Sequence, residues 1–427
     1  MRVGFGLILA MALTACGPEN HSVGSKIEAQ APVIASEISD ARALHERLMV
    51  LDSHLDTPEH FHNSDFVFSE RGTYADDGTQ VDLPRMKEGG LDGGFFVIFT
   101  SQGELTPEGY LAARNSAVLR QMSIREMAAK YSAEVELAFS ADDADRIVAE
   151  GKRIVFQSME NSYPLGTDIS MLETFYTGGL RMVGPVHFSN NQFADSSTDK
   201  DVVFDGLSPL GEDLIREANR LGLILDGSHA SDATVWDMLA LSATPLILSH
   251  TGPGAVYDHP RNVPDDLLMA VAEAGGVIQI NAYTGYLEEL EQSPQRLARQ
   301  ADIEAELLVE YGSLENVPAL VARERRRELN EAFPPARSTF EKFMEHMLYA
   351  LALVGPDHVG MGADWDGGGG VEGMIDITYL PKVTEALLAA GYNEDDLAKI
   401  WGGNMMRLMR AVEAARTADV MSPKSVN

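Results

Sequence analysis

Five residues of the types that bind metal ions follow short apolar runs along the chain. They are His54, Asp56, Glu160, His229 and His250, and the runs that they close read LMVLDSHLD, RIVFQSME, GLILDGSH and TPLILSH. Each run passes from β-branched and aliphatic residues to a polar end, which is typical of a buried strand that leads into a loop. Because α/β folds build their active sites at the carboxyl ends of strands, this pattern predicts a metal site there.

The spacing of these residues predicts two neighbouring metal ions. In the segment DSHLD, His54 and Asp56 are two residues apart, so on a strand they project to the same side and can chelate one cation together. His229 and His250 end consecutive strands, which would bring their imidazoles together as a second, nitrogen-rich site. Glu160 ends a third strand, and its two carboxylate oxygens can span ions roughly 3.5–4 Å apart.

Four further polar residues stand at strand ends or in the loops that follow them. Asp364, in GADWDG, is our candidate general base, because a carboxylate near cations is ionised and can receive a proton from metal-bound water. Asp366 is expected to bind the surrounding loop. His187 suits a role in polarising a carbonyl or stabilising an oxyanion. Arg261 can bind a substrate carboxylate through its forked guanidinium.

Eight apolar runs alternate with amphipathic helical stretches along the chain. Besides the four runs above, strands are predicted at GGFFVIFT, LRMVGPVH, GGVIQIN and HVGMGADW. Eight β-then-α units predict an α/β fold, a (β/α)8 TIM-type barrel with its site at the carboxyl ends of the strands. The alternative is an open doubly wound sheet, but no glycine-rich phosphate-binding segment follows the first strand.

The N-terminus is predicted to be a bacterial lipoprotein signal peptide over residues 1–16. Arg2 precedes the apolar stretch Val3–Leu13, which is too short to span a membrane. The stretch ends in Leu-Thr-Ala-Cys, which looks like a lipobox, and Cys16 is the only cysteine in the chain. Lipidation of Cys16 would leave no thiol for disulfides or catalysis. The next residue, Gly17, resembles lipoproteins sent to the outer membrane, so we expect a lipid-anchored protein on the periplasmic side of the cell envelope.

The rest of the chain is predicted to form one main domain. Residues 17–39 read as a flexible tether, residues 40–416 as the barrel, and residues 417–427 as a disordered tail. A charged helical insertion at about 286–337, between strands seven and eight, is expected to cover the barrel mouth or an oligomer surface. The formal net charge of −32 repels phosphate backbones, which argues against nucleic-acid binding.

Several motifs, taken in order, resemble the membrane (renal) dipeptidase family, peptidase family M19 of the amidohydrolase superfamily. The resemblance runs from about Leu51 to Val412, and its most specific segments are LDSHLD, SMENS, PVHFSNNQFADSS, LDGSHAS, LSHTGPGAVYDHPRNVPDDLL and HVGMGADWDG. It implies a (β/α)8 barrel. Many relatives have Glu-Gly-Gly where this chain has Glu160-Asn161-Ser162, so we expect the loop beside Glu160 to be shaped differently.

The resemblance implies two zinc ions per chain. One would be bound by His54 and Asp56 and the other by His229 and His250, with Glu160 as the bridge between them. A hydroxide between the two metals would attack the peptide carbonyl. Iron or manganese could replace zinc in a site made of histidines and carboxylates.

The implied reaction is the hydrolysis of L-Xaa-L-Xaa and L-Xaa-D-Xaa dipeptides. Asp364 would pass the proton to the leaving amine, His187 would contact the carbonyl or the intermediate, and Arg261 would bind the terminal carboxylate. The family resemblance also suggests a homodimer. Two other functions stay open: another amidohydrolase reaction on the same metals, with an N-acyl amino acid, β-lactam or ester as substrate, and a non-catalytic envelope lipoprotein.

Overall fold

The computed structural model describes residues 40–63, 65–313 and 317–417. The predicted signal peptide with its lipidation site Cys16, the predicted tether and residues 418–427 of the predicted tail lie outside these ranges. Thr417 is described, and its backbone N–H donates to the carbonyl oxygen of Arg220 at 3.2 Å. Among the helices of the described ranges, none combines the length and the apolar character needed to cross a bilayer.

Eight parallel strands with interleaved helices form a nearly closed barrel, which confirms the predicted (β/α)8 fold. The strands in chain order are β1 (Leu51–Leu55), β2 (Gly93–Ile98), β3 (Val135–Leu137), β4 (Arg153–Met159), β5 (Leu180–Val183), β6 (Ile224–Asp226), β7 (Leu246–Thr251), β8 (Val277–Ile280) and β9 (Val359–Met361). The barrel order is β1-β2-β4-β5-β6-β7-β8-β9. Leu55 bridges to Trp365 at the seam between the first and last strands.

The short strand β3 lies outside the barrel path and was not predicted. It pairs in parallel with the first half of β4, where Val135 lies opposite Arg153 and Leu137 opposite Val155. The full length of β4 pairs with β2 on its other side. The barrel therefore keeps eight strands, and β3 extends the sheet at one point only.

Helices surround the barrel, and many begin at a capping side chain. Helix α1 includes residues 40–45. The others are α2 (Tyr74–Asp77), α3 (Leu83–Gly89), α4 (Pro107–Lys130), α5 (Ala141–Ala149), α6 (Met171–Gly178), α7 (Pro209–Leu221), α8 (Asp232–Leu241), α9 (Asp265–Glu273), α10 (Pro294–Tyr311), α11 (Ala319–Ala332), α12 (Phe340–Val354), α13 (Leu380–Ala389), α14 (Glu394–Ala398) and α15 (Asn404–Ala415). Ser140, Ser208 and Ser231 each accept a hydrogen bond from the backbone N–H three residues later, which fixes the starts of α5, α7 and α8.

Apolar residues near the starts of the strands fill the amino-terminal end of the barrel. Leu51, Phe95 and Phe156 form one buried cluster with residues of α15 such as Met409. The rings of Phe95 and Phe156 stack at a centroid distance of 5.0 Å. Arg407 of α15 donates to backbone oxygens just before β8 and β9, which holds the helix across this end. With this end closed by apolar packing, polar side chains are concentrated at the carboxyl ends of the strands.

The predicted insertion between the seventh and eighth barrel strands contains α10 and α11. Ile303, Leu307 and Leu329 give it a small apolar cluster of its own, separate from the barrel core. At its end, Ser338 donates to Glu288 at 2.7 Å, and Arg337 donates to the backbone oxygen of Gly370 at 3.0 Å. The ends of the insertion are therefore fastened beside the loop that follows β9.

The buried side chain of His45 joins α1 to helices α3 and α13. His45 Nε2 lies 3.0 Å from the Gly89 carbonyl oxygen, and Nδ1 lies 2.7 Å from Thr384 Oγ1. Trp401 Nε1 donates to the same Thr384 oxygen at 2.9 Å. Because a carbonyl oxygen only accepts, Nε2 carries the proton, and the threonine hydroxyl donates to Nδ1. Burial favours this neutral ring and lowers the pKa of His45 from 6.5 to about 4.

We predict that His45 makes the folded domain less stable as the pH falls from 6.5 towards 4. In that window the unfolded chain binds a proton at this position that the folded chain does not, so acid favours unfolding. At pH 5 the expected loss is about 2 kcal/mol relative to pH 7, since each unit of pKa shift corresponds to about 1.4 kcal/mol. Urea unfolding of metal-free protein at both pH values should show a shallower pH dependence for His45→Gln. The same substitution at the exposed His62 is the control, and equal slopes for wild type and His45→Gln would contradict the prediction.

Candidate metal centre

The side chains of all five predicted metal ligands meet at the carboxyl ends of the strands. Glu160 Oε1 is the common neighbour: His54 Nε2 lies 3.5 Å from it, His229 Nε2 3.1 Å and His250 Nε2 3.4 Å. His54 Nε2 also lies 3.3 Å from Asp56 Oδ2. These residues come from the ends of β1, β4, β6 and β7, so barrel closure is what brings them together.

The donor atoms fall into three overlapping groups, each with its atoms within 4.8 Å of one another. The groups are His54, Glu160 and His250; Glu160, His187 and His229; and His54, Asp56 and Asp364. His54 lies close to Asp56, and the Nε2 atoms of His229 and His250 are 2.9 Å apart. Both pairs are therefore close together, as their spacing in the sequence predicted. The structure adds His187 and Asp364 to the same cluster, although the sequence assigned neither to a metal.

Several polar atoms of the cluster are buried without a hydrogen-bond partner. They include both ring nitrogens of His54, Oδ1 of Asp56 and Nδ1 of His229. A buried polar atom without a partner costs roughly 1–3 kcal/mol, so native structures keep few of them. Imidazole nitrogens and carboxylate oxygens are the donors that zinc, iron and manganese accept. The residues present therefore fit a site for two transition-metal ions.

The electrostatics of the cluster also favour cations. Burial raises the pKa of Glu160 and of Asp364, because both carboxylates are removed from water and lie near another carboxylate, Asp56. Burial alone would lower the pKa of His54, but Glu160 and Asp56 outweigh this effect and raise it to about 10. Three buried carboxyl groups this close together repel one another when ionised. Positive charge between them removes that repulsion.

His187 and Arg261 form the wall beside this cluster. His187 Nε2 lies 3.7 Å from Glu160 Oε1, and burial together with the charge of Arg261 lowers the pKa of His187 to about 3, so its ring is neutral. Arg261 is buried, and its Nη2 donates to the backbone oxygen of His250 at 3.0 Å. Its guanidinium carbon lies 5.2 Å from the centre of the Tyr286 ring. The site thus contains a fixed cation as well as acidic residues.

Two of the site residues have left-handed backbone conformations, which residues other than glycine seldom adopt. The φ angles are 66° at His229 and 65° at Asp364. Such conformations cost of order 1–3 kcal/mol and cluster at functional sites, where the surrounding structure maintains them. Asp366 has a φ of 66° as well, and its carboxylate accepts from Gln80 N at 2.6 Å and Thr57 Oγ1 at 2.7 Å. These contacts agree with the expected loop-binding role of Asp366.

Asp52 is a site residue whose structural role the sequence did not indicate. One of its oxygens accepts from His54 N at 2.8 Å and the other from Ala363 N at 3.1 Å. The buried carboxylate therefore connects the end of β1 to the end of β9 and positions both His54 and Asp364. The only available signal was its place two residues before His54 in DSHLD.

The fold and this cluster can be compared with known proteins. A family model described as membrane dipeptidase (peptidase family M19) matches residues 38–422. The chain belongs to this family. It is accordingly a dipeptidase of the metallopeptidase type, a hydrolase that uses bound metal and acts on peptides, as the sequence predicted.

Individual dipeptidases and metallopeptidases resemble the chain over most of its length. Dipeptidase tcpJ of Claviceps purpurea is 29% identical over 338 residues, which cover 78% of this chain and 69% of that protein. The crystal structure of the probable dipeptidase PvdM from Pseudomonas aeruginosa superposes with a TM-score of 0.75 at 29% identity, covering 89% of this chain and 99% of that one. A metallopeptidase from Rhodobacter sphaeroides, liganded with a phosphinate mimic of the dipeptide L-Ala-D-Ala, has a TM-score of 0.67 at 25% identity over 86% of this chain and 99% of that one.

The loop after Glu160, where this M19 dipeptidase departs from Glu-Gly-Gly, is held by side-chain hydrogen bonds. Asn161 Oδ1 accepts from Tyr163 N and Asn191 Nδ2, each at 3.0 Å. Ser162 Oγ donates to the Gly184 backbone oxygen at 2.8 Å. Both residues are buried. The two polar side chains thus fasten the segment that follows Glu160 to the loop after β5.

We predict that Gly367→Ala weakens metal binding by this M19 dipeptidase without unfolding it. A methyl group on Gly367 would overlap the carboxylate oxygens of Asp56 and Asp364, while the φ angle of Gly367 lies outside the left-handed region. Displaced ligands should lower metal affinity at least about tenfold. Metal content after dialysis and the melting temperature of the metal-free protein are the measurements. The control is Gly103→Ala, where the nearest atom is the Tyr163 hydroxyl at 3.4 Å; full metal retention by Gly367→Ala would refute the prediction.

Proposed function

We propose that this dipeptidase cleaves L-Xaa-L-Xaa and L-Xaa-D-Xaa dipeptides with two zinc ions as cofactors. The observation that carries the proposal is the convergence of His54, His229 and His250 on one oxygen of Glu160, at 3.1–3.5 Å, deep in a buried site. A carboxylate surrounded in this way is suited to bridge two ions. The phosphinate mimic of L-Ala-D-Ala bound by the Rhodobacter sphaeroides relative supports the substrate class.

The residues divide naturally between two ions. His54 and Asp56 would hold one, His229 and His250 the other, and Glu160 both. When bound, the ions supply a Lewis acid for the scissile carbonyl and lower the pKa of water towards neutrality. The donor set contains nitrogen and oxygen ligands only, so iron and manganese are chemically acceptable substitutes for zinc.

Asp364 is proposed as the residue that moves the proton. One of its oxygens lies within 4.8 Å of donor atoms of His54 and Asp56, so its carboxylate borders the proposed metal ligands. Its carboxylate can accept a proton from water and pass it to the leaving amine. Its left-handed backbone holds the carboxylate in this position.

His187 is proposed to contact the carbonyl oxygen of the scissile bond, and Arg261 is proposed to bind the terminal carboxylate of the substrate. The neutral ring of His187, fixed between Phe99 and Phe188 at centroid distances of 5.0 and 3.9 Å, can donate a hydrogen bond to the carbonyl oxygen or the tetrahedral oxyanion. Arg261 has a buried Nε without a hydrogen-bond partner. A substrate carboxylate would satisfy that nitrogen and the positive charge together.

We predict that Asp364→Asn abolishes dipeptide cleavage but leaves two zinc ions per chain. The amide keeps the size of the carboxylate and cannot carry the proton, so kcat should fall by about 10²–10⁴-fold. The assay is the release of free amino acids from a panel of L-L and L-D dipeptides, with metal content measured on the same samples. Asp205→Asn is the matched control, because Asp205 is exposed and shares the left-handed backbone, with a φ of 56°.

The same panel separates this proposal from other reactions on the same metals. Blocking the substrate's free amine should abolish cleavage by a dipeptidase, whereas an enzyme for N-acyl amino acids would prefer the blocked compound. Two zinc ions without cleavage of any dipeptide would refute the substrate class and direct attention to N-acyl amino acids, β-lactams and esters. Absence of bound metal in the purified protein would refute the cofactor.

We also propose that Cys16 is lipidated and holds the enzyme on the periplasmic side of the outer membrane, and that the enzyme forms a homodimer. The support is the lipobox Leu13-Thr14-Ala15-Cys16 after a short apolar stretch, with Gly17 behind it. The acidic net charge of −32 disfavours simple electrostatic adsorption to anionic lipid, so membrane attachment would depend on the lipid.

We predict that Cys16→Ser moves the protein from the membrane fraction to the soluble fraction. Without the thiol no acyl chains can be attached, and the apolar stretch alone is too short to span the bilayer. Cell fractionation and mass spectrometry of the N-terminus measure this. Gly17→Asp is the control: it keeps the lipid and should retain the protein in the inner membrane. A wild-type protein that is soluble and unmodified would rule out the anchor.

A further inference from the structure

A buried chain of hydrogen bonds runs from Asp226 through Ser249 to the ring of His250. Ser249 Oγ lies 2.5 Å from Asp226 Oδ2 and 2.8 Å from His250 Nδ1. All three side chains are buried. Asp226 ends β6, and Ser249 and His250 lie on β7. These hydrogen bonds therefore connect two neighbouring strands beside the metal centre.

The donors and acceptors of this chain determine where its protons lie. Asp226 Oδ1 accepts from the backbone N–H groups of Ser228 and Ser249, each at 2.9 Å. With Asp226 as a carboxylate, its other oxygen also accepts, so the Ser249 hydroxyl donates to it. A hydroxyl has one proton, and the Ser249 oxygen therefore offers a lone pair to His250. His250 Nδ1 must then carry a proton and donate it.

This arrangement leaves the other ring nitrogen of His250 without a proton. A neutral imidazole with its proton on Nδ1 has its lone pair on Nε2. Nε2 of His250 is the atom that lies 3.4 Å from Glu160 Oε1, on the side of the metal cluster. By contrast, Nδ1 of His54 and Nδ1 of His229 have no hydrogen-bond partner. Of the three histidines proposed as metal ligands, only His250 has a hydrogen-bond partner at Nδ1 in the described structure.

We propose that Asp226 and Ser249 are positioning residues that lock His250 in the tautomer able to bind metal through Nε2. The inference rests on the proposed two-metal function and adds the means by which one ligand is prepared for it. Metal-binding histidines commonly donate their second nitrogen to a neighbouring group, which fixes the ring and increases its basicity. Here the Ser249 hydroxyl lies between His250 and Asp226. Because its proton is donated to Asp226, its oxygen accepts the proton of His250 Nδ1.

The same groups also hold the two histidine-bearing segments together. Asp226 Oδ1 reaches from the end of β6 to the backbone of Ser249 on β7. In return, Ser228 Oγ, one residue before His229, accepts from His250 N at 3.0 Å. The spacing between the segments that carry His229 and His250 thus depends in part on Asp226, whose other oxygen orients the His250 ring through Ser249.

Asp226→Asn is the decisive substitution because it reverses which group donates and which accepts along the hydrogen bonds from residue 226 to His250. The amide oxygen can still accept from the two backbone N–H groups, but its NH2 group must now donate to Ser249 Oγ. The serine hydroxyl is then turned towards His250 Nδ1 and donates to it. This places the ring proton on Nε2, where it blocks the metal, and we expect one of the two zinc ions to bind about 10–100-fold more weakly.

Ser249→Ala gives a milder change, because it removes the connection without imposing the wrong tautomer. We expect a loss of about tenfold in the affinity of the same ion. In the double variant Asp226→Asn/Ser249→Ala, the amide can no longer act on His250. Its zinc affinity should therefore rise from that of Asp226→Asn to that of Ser249→Ala. A purely structural role predicts the opposite, since two disruptions of a buried network should be at least as harmful as one.

The measurements are zinc titration of the full-length protein against a competing chelator and the melting temperature of each metal-free variant. Ser53→Ala is the matched control: Ser53 is equally buried, and its hydroxyl donates to the Ser249 backbone oxygen at 2.5 Å rather than to an imidazole. It should keep both zinc affinities. If Asp226→Asn unfolds, Ser249→Thr replaces it, because threonine keeps the hydroxyl and should restore the affinity that alanine loses.

The outcomes distinguish this inference from the proposed function. Recovery of zinc affinity in the double variant supports the tautomer lock. Wild-type affinity in Asp226→Asn, or a double variant weaker than Asp226→Asn, would overturn it while the two-metal function stands. Equal losses in Ser249→Ala and Ser249→Thr would also overturn it. A wild-type protein that binds no zinc would instead remove the proposed function on which the inference depends.

Discussion

The central constraint on this barrel is that one buried carboxylate oxygen is surrounded by imidazole nitrogens. Glu160 Oε1 has His229, His250 and His54 within 3.5 Å, although each lies on a different segment of the chain. Burying so many ionisable groups without cations is costly, because carboxylates repel one another and ring nitrogens lose their hydrogen-bond partners. Bound cations would relieve both costs.

The rest of the structure supports this arrangement from below and from the sides. The apolar cluster at the amino-terminal end of the barrel packs the first halves of the strands against one another and against α15. Asp52 then links the end of β1 to the end of β9, and Asp226 links β6 to β7. Left-handed backbone at His229 and Asp364 turns their side chains into the site. These buried links resist the relaxation that electrostatic repulsion would otherwise produce.

Much of this could be predicted from sequence, and the reasons are physical. Apolar runs that lead into polar residues identified all eight barrel strands, because buried parallel strands must be apolar and strand ends are free to be polar. Strand β3 was missed because three residues, Val135–Leu137, carry too little periodicity. Asp52 and Asp226 were missed as positioning residues because their partners, Ala363 and Ser249, become neighbours only through strand pairing. The inclusion of His187 and Asp364 among the metal donors likewise depends on three-dimensional distances.

The closure of the barrel floor by α15 has a consequence for the order in which the chain can fold. Leu51, on the first strand, shares its apolar cluster with Met409 and Val412, near the end of the described chain. Such contacts between distant parts of the sequence form slowly, because a long loop must close before they contribute. The packing of Leu51 at this end of the barrel is therefore complete only when α15, almost the whole domain away in sequence, has joined the cluster.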